Sequence, residues 1–245
     1  MWNKPHVLNA IADLLFAAAA AALLVAMAVW LVRVPALPIR QVVVQEELRQ
    51  VKRVEIEQAL TGLMRGNFFS VNVDAIRLSL EKLPWVRRAE VRRQWPAGLQ
   101  IKIEEHKPVA RWEEGRASSK NELVNSYGEV FVALLNDKEA AALPQMYGPP
   151  GTAQEVLKRF GEFSTLLAPA RLKPVQLNLS ARLAWQIRLD DGMIMDLGRE
   201  QTKAPVGARL ARFIEVYPTT VGNRPQRPAA VDLRYPNGFA MRARG

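Results

Sequence analysis

The 245-residue chain has no cysteine and two histidines. The first absence excludes disulfides, thiol nucleophiles and zinc–thiolate sites. It is compatible with an oxidising compartment without requiring one. The histidines are too few and too far apart to build a metal pair or a triad within one domain: His6 precedes a long apolar run, and His106 ends a strand-like segment. Glycine-rich phosphate loops, a Walker A sequence and a G-x-S-x-G elbow are also missing. Glu104 and Glu105 are neighbours in an extended stretch and point to opposite faces, so they cannot act together as acid and base. Asp190 and Asp191 fall in a turn, where aspartate is favoured for backbone reasons. Nothing in the chain calls for a cofactor, a metal or a small-molecule substrate.

What is present is a membrane-type segment and a basic remainder. Leu14 to Val32 is 19 residues without a charge, apolar all round. A helix of that length reaches about 28 Å, close to the ~30 Å hydrocarbon core, and Trp2 and Trp30 sit near its ends, where indoles favour the interface. The run exceeds a signal-peptide core, and VRVPALP after it is a poor cleavage site. The expected partition is a short tail over 1–13, a transmembrane helix over 14–34, and all else on one side. Flanking charge opposes an N-in orientation, with Lys4 before the span and Arg33, Arg40 and Arg49 after it, but long domains translocate largely regardless of charge. The net charge of +10 resides entirely on residues 33–245. Arg87, Arg88, Arg92 and Arg93, followed by Trp95, have the composition of a single-strand nucleic-acid platform. A solvated strand face is the better reading beside a membrane tether, and no nucleic acid is expected.

Beyond the span, Pro35 and Pro38 start an extended segment. Residues 40–44 read as a strand, and Val51–Leu60 and Val73–Leu83 as helices, the second with Asn72 as its cap and Pro84 as its stop. Val86–Trp95 and Leu99–Glu105 read as a hairpin around Pro96-Ala97-Gly98, with Leu99, Ile101 and Ile103 alternating with polar residues. The order β-α-α-β-β within about 70 residues is a small α+β module. The second half reads as strands at 109–112, 122–125, 129–134, 175–179, 185–189, 193–197, 229–234 and 239–242. Turns mark Tyr127-Gly128 and Asp190-Asp191-Gly192, helices span 153–167 and 206–217, and a loop covers 148–151.

The stretch 67–112, with Gly66-Asn67-Phe68-Phe69, Leu83-Pro84-Trp85-Val86, the arginine strand ending Trp95-Pro96, and Glu105 through Trp112, closely resembles the POTRA domain of the FtsQ/DivIB division-protein family. Downstream, Leu123-Val124-Asn125, Gly128-Glu129-Val130-Phe131, Leu197-Gly198-Arg199, Arg209 to Tyr217 and Val231-Asp232-Leu233-Arg234-Tyr235 match in the same order. The resemblance implies an α+β protein: a single N-terminal transmembrane helix, a POTRA domain over 38–108 and a mainly antiparallel β domain with a few helices over 109–245. It implies an inner-membrane, single-pass protein with a cytoplasmic N-terminus and a periplasmic C-terminal part, enriched at the division septum. It further implies a non-catalytic scaffold that recruits FtsB and FtsL and links early and late division proteins, with FtsK, FtsW, FtsI and FtsN as further partners. In the family FtsB adds a strand to the last β-strand. Carried over position by position, the partner-binding residues are Arg182 for a salt bridge, Arg234 and Tyr235 as anchors, and Asn237, Gly238, Phe239, Ala240 and Met241 as turn and receiving strand. Beyond Arg242 the chain departs from the pattern, lacking the small-residue-plus-tryptophan ending. The alternative is a POTRA-type chaperone or transport component that binds unfolded or outer-membrane polypeptides.

Overall fold

The computed structural model describes residues 5–33, 39, 41–45, 48–65, 67–114, 121–235 and 238–244, the backbone alone at 5–6 and 31–33. The first element, α1, is a helix over Pro5–Arg33. Alanine and leucine favour it intrinsically, and in hydrocarbon a helix is one of the few backbones that satisfies its own polar groups. Val7–Trp30 is 24 residues with none buried against protein, the one helix among the described residues long and apolar enough to cross a membrane.

The contacts divide the chain into two compact units, Met1–Glu105 and His106–Gly245. In the first, α1 is followed by β1 (Gln41–Val44), α2 (Arg53–Leu60), α3 (Val73–Leu80), β2 (Val86–Gln94) and β3 (Gly98–Glu105). This is the expected β-α-α-β-β order. β3 is central, antiparallel to β2 and parallel to β1. Ile76 and Leu80 of α3 and Leu99 and Ile101 of β3 are fully buried; each is worth roughly 1.5–3 kcal/mol relative to exposure. Asn72 caps α3 through its side-chain oxygen, which accepts from the Ala75 amide at 3.0 Å. Glu105 serves the fold: its carboxylate accepts from the amides of Arg49, Gln50 and Val51 at 2.7–3.0 Å, closing the loop into α2. Three arginines of β2 are engaged as well. Arg87 pairs with Glu104, Arg92 with Glu90, and Arg93 donates to the Val71 carbonyl at 2.8 Å. Trp85 is buried, whereas Trp95 is largely exposed and meets Phe68 edge-on.

The second unit holds one nine-stranded sheet. Its elements are β4 (Pro108–Glu114), β5 (Glu122–Asn125), β6 (Val130–Val132), α4 (Asp137–Ala142), β7 (Gln145–Gly148), α5 (Ala153–Leu167), β8 (Pro174–Leu179), β9 (Ala184–Leu189), β10 (Ile194–Arg199), α6 (Val206–Thr220), β11 (Ala230–Asp232) and β12 (Ala240–Arg242), with a 3-10 turn at Ala168–Ala170. The order across the sheet is β12-β11-β10-β9-β8-β7-β4-β5-β6. Five of its eight neighbouring pairs are antiparallel. Each parallel pair has a crossover between its strands: α5 between β7 and β8, α6 between β10 and β11, and β5, β6 and α4 between β4 and β7. Helices α5 and α6 touch each other and share the core: Phe163 and Leu167 of α5 and Leu210 and Phe213 of α6 bury against residues such as Trp185 and Met195 of the sheet.

Three readings change. Helix α3, expected to reach Leu83, ends at Leu80 with Glu81 as its C-cap. Gly148, expected in a loop, ends β7, an inner strand parallel to both neighbours. Its four residues include one large fully buried side chain, Met146, so hydrophobic periodicity had almost nothing to register. Helix α6 also runs past Tyr217, through Pro218, to Thr220.

The β5–β6 turn shows how locally the fold is set. The Asn125 side-chain oxygen accepts from the amides of Tyr127 and Glu129, and Gly128 takes a φ of +81°. A Cβ on Gly128 would lie 2.7 Å from the Gln154 Cα, a backbone atom that cannot yield. Gly128→Ala is therefore expected to cost about 1–3 kcal/mol of stability in a denaturant titration; an unchanged midpoint would show that the turn relaxes freely.

Candidate functional site

The described C-terminal residues finish one edge of the large sheet. Val231 and Leu233 are buried while Asp232 is half-buried and Arg234 exposed, the period of two expected where one face is covered. Val231 sits opposite Met195 of β10. The chain then reverses, and β12 returns antiparallel to β11 with Ala240 opposite Asp232 and Met241 opposite Val231. The Ala229 amide donates to the Arg242 carbonyl at 2.8 Å, fastening the far end. All three β12 residues are exposed, and no strand flanks the outer side of β12 among the described residues. Such an edge presents unpaired amides and carbonyls to another chain.

Register places the expected site residues at one end of this sheet. Arg182 lies in the β8–β9 turn, which the Ser180 amide and hydroxyl close onto Ala184. Leu183 beside it has a φ of +58° and is exposed. Ala184 pairs with Arg199 at the end of β10, and Arg234 packs over Gly198 one residue earlier. Arg182 thus precedes β9, which lies two places from β11 in the sheet, and Arg234 follows β11 at the same end. Tyr235, Gly238, Phe239 and Ala240 lie at this same end, with Met241 one step along β12. Asn237 lies outside the described residues.

The bulge that makes this packing possible falls between Asp196 and Gly198. Gly198 has a φ of +71°, and a Cβ there would come within 2.9 Å of the Arg234 side chain. Arg234 is also paired within the chain. Its Nε reaches both Asp232 carboxylate oxygens at 2.8 and 3.0 Å, and its Nη2 reaches one at 2.6 Å. That hydrogen bonding, against opposing desolvation, holds the Asp232 carboxyl below its ordinary value of 3.8. Any partner carboxylate must use the remaining donors of Arg234 or displace Asp232. Arg182, by contrast, makes no ion pair among the described residues, and its guanidinium is free to receive one.

Sequence reasoning missed the interior of this corner. A cleft of about 160 Å³ opens between α6 and Leu233, Tyr235, Gly238 and Phe239. Phe213 and Phe239 form its aromatic wall, edge-to-face at 5.1 Å, and Tyr235 stands at its rim, half-exposed. Arg209 lines it and is buried at 3% exposure. Its Nη2 donates to the Arg199 carbonyl at 2.6 Å, while Nε and Nη1 are buried without a partner among the described residues. Burial lowers the Arg209 pKa, opposed by Glu200. The signal lay in spacing: Arg209, Phe213 and Tyr217 recur every four residues on one face of α6. Among the described residues no group of three or more His, Asp or Glu is placed to hold a metal. The arrangement offers a receiving strand, an aromatic cleft and a surplus of cations, the makings of a docking surface.

A family model described as cell division protein FtsQ/DivIB, C-terminal, matches residues 110–234, and one described as POTRA domain, FtsQ-type, matches residues 37–106. The chain is 36% identical to the cell division protein FtsQ of Burkholderia pseudomallei over 245 residues, covering 100% of this chain and 95% of that protein. It is 36% identical to its counterpart in Nitrosospira multiformis over 247 residues, 99% of each chain. It is 32% identical to the one in Escherichia coli over 217 residues, 86% of this chain and 75% of that protein. The matched C-terminal model stops at residue 234, just before Tyr235 and β12.

The Asp232–Arg234 pair gives a pH signature. A carboxyl held below its ordinary value adds stability that is complete above that value and is lost as the pH falls through the lowered one. Asp232→Asn is therefore expected to flatten the decline of stability below about pH 4 in thermal melts taken across the acid range. An acid limb identical to the parent's would mean the pair has the same strength in the unfolded chain.

Proposed function

Because the chain belongs to the FtsQ/DivIB family of bacterial cell-division proteins, we propose that it is a non-catalytic scaffold of the division machinery, anchored in the inner membrane by α1 with its folded units in the periplasm. It recruits FtsB together with FtsL, is enriched at the septum, and through further contacts with FtsK, FtsW, FtsI and FtsN links early and late division proteins. FtsB extends the large sheet by adding a strand to β12, and charge pairing fixes its register.

The observation that carries this reading is the short outer strand with cations and an exposed tyrosine gathered at one end of it. Strand addition draws its affinity from main-chain hydrogen bonds, which are indifferent to sequence; specificity comes from side-chain pockets and charges beside the edge. Arg182 and Arg234 supply the charges. Arginine is suited to this because its planar fork grips a carboxylate with two parallel bonds. Tyr235 supplies apolar area with a polar tip, the profile of an interface anchor. Exposed charge pairs are individually weak, so the edge and the anchor are expected to supply most of the affinity and Arg182 much of the orientation.

The test is the affinity of the full-length chain, held in lipid nanodiscs, for a peptide spanning the periplasmic tail of the cognate FtsB. Tyr235→Ala and Arg182→Glu are each expected to weaken it at least tenfold, about 1.4 kcal/mol, with unfolding midpoints unchanged. Binding by the parent with neither variant weakened would remove these residues from the interface. No binding by the parent would remove the FtsB reading and leave unfolded outer-membrane polypeptides as the next ligand to try.

A further inference from the structure

Arg209 is a charged side chain whose burial the fold compensates only in part, through the Arg199 carbonyl and the nearby charge of Glu200. It sits on the covered face of α6 at 3% exposure, and only Nη2 has an acceptor, the Arg199 carbonyl. The remaining donors, Nε and Nη1, are out of solvent contact and make no hydrogen bond among the described residues. A buried guanidinium with most of its donors unused is destabilising, and isosteric apolar residues commonly replace buried charges without loss of stability. A fold that keeps such a group has it satisfied by something else, or retains it for binding.

The surroundings indicate what that ligand is. The cleft that Arg209 lines lies between α6 and Leu233, Tyr235, Gly238 and Phe239, directly beside the start of β12. Its volume of about 160 Å³ is close to that of a ~150 Å³ cavity that holds one benzene-sized group. That admits one side chain and not a strand. The walls are apolar and aromatic, from Phe213, Val216, Leu233 and Phe239; among the described residues no acidic side chain lines it, and Arg212 stands at the rim. A pocket with greasy sides and an unsatisfied cation selects a group with an apolar stem and an anionic head.

We propose that this cleft is a carboxylate-recognition subsite of the β12 docking surface: an acidic side chain of the added partner strand enters it and accepts from Nε and Nη1 of Arg209. Both nitrogens are sealed in the unbound chain, so the cleft opens further as the acid enters. The subsite rests on the strand-addition reading above and adds a second register pin, behind the edge, to the charge pairing in front of it. Its desolvated setting distinguishes it from the exposed arginines: a charge pair formed there is shielded from salt, whereas pairs to Arg182 and Arg234 are screened.

The experiment is a double-mutant cycle between the full-length chain in nanodiscs and the FtsB-tail peptide used above, with each acidic residue of the peptide replaced singly by its amide and the peptide's C-terminus amidated in a separate version. Arg209→Met is expected to weaken binding at least tenfold while its unfolding midpoint stays equal to or above the parent's. One acid-to-amide change in the peptide is expected to cause the same loss, and the two changes together no further loss. That coupling is expected to persist when salt is raised from about 0.05 M to about 0.5 M, a range over which exposed pairs fade. Binding of Arg209→Met equal to the parent's, or losses that simply add, would overturn the subsite and point to a buried water as the occupant. Loss on C-terminal amidation alone would overturn the side-chain assignment. Should Arg209→Met fail to fold, the peptide series decides: no single amide change reaching tenfold overturns the proposal. A parent that binds and is weakened by Tyr235→Ala but not by Arg209→Met loses the subsite alone, whereas a parent that does not bind loses the strand-addition reading with it.

Discussion

A β-sheet satisfies its backbone polar groups everywhere except along its two outer strands, and that constraint organises this molecule. The nine-stranded sheet has α5 and α6 packed against it, with Phe163, Leu167, Leu210 and Phe213 sealing the core. Hydrophobic burial is therefore complete at the centre, and what remains unfilled is hydrogen-bonding capacity at the ends. Proteins usually blunt such ends with charge, brevity or a covering element. Among the described strands, β2 carries arginines tied to acids or a carbonyl, and β6 and β12 are three residues long. Brevity at β12 is combined with a cleft, an aromatic wall and cations within reach of an incoming chain.

The features of that corner depend on one another. Gly198 takes a left-handed conformation at the β10 bulge, which lets the Arg234 stem lie across it. Arg234 in turn holds Asp232, whose side chain also accepts from the Arg234 amide at 3.0 Å and shapes the chain as it leaves β11. Beyond that exit Tyr235 is exposed, and Phe239 meets Phe213 edge-on. Arg209 lies beneath, on the same face of α6 as Phe213. A single side chain thus serves both the fold and the surface it offers, which is why substitutions here must be read with folding and binding measured together.

Much of this was legible in the residues. The apolar run announced α1, and alternation over Leu99 to Ile103 announced β3. The Asn72 cap marked the start of α3, though the helix ends at Leu80, short of Pro84, and helix α5 falls at 153–167 as its spacing required. The elements that escaped notice are those whose signal is tertiary. β7 has four residues and draws its stability from parallel neighbours on both sides, not from its own pattern. α4 is six residues over Asp137–Ala142 with nothing buried, carried by the Asn136 cap. At the site, the expectation for Arg182, Arg234 and Tyr235 came from the resemblance, not from any pattern in the residues themselves. Arg209 was hidden because an arginine on a helix is expected to face solvent, and only its phase with Phe213 and Tyr217 contradicts that. The pairing of Arg234 with Asp232 two residues away depends on the geometry of the exit from β11, which sequence spacing does not determine.

The most direct test of strand addition at β12 is amide hydrogen exchange over residues 240–242, resolved to single residues, in the full-length chain with and without saturating FtsB-tail peptide. A strand that docks on the outer edge must bond the outward-facing amides there, so exchange at β12 is predicted to slow markedly on binding, while β6 at the opposite edge is unchanged. Saturated binding with β12 exchanging as in the free chain, and protection gathered at β1, β2 or β6 instead, would contradict the account.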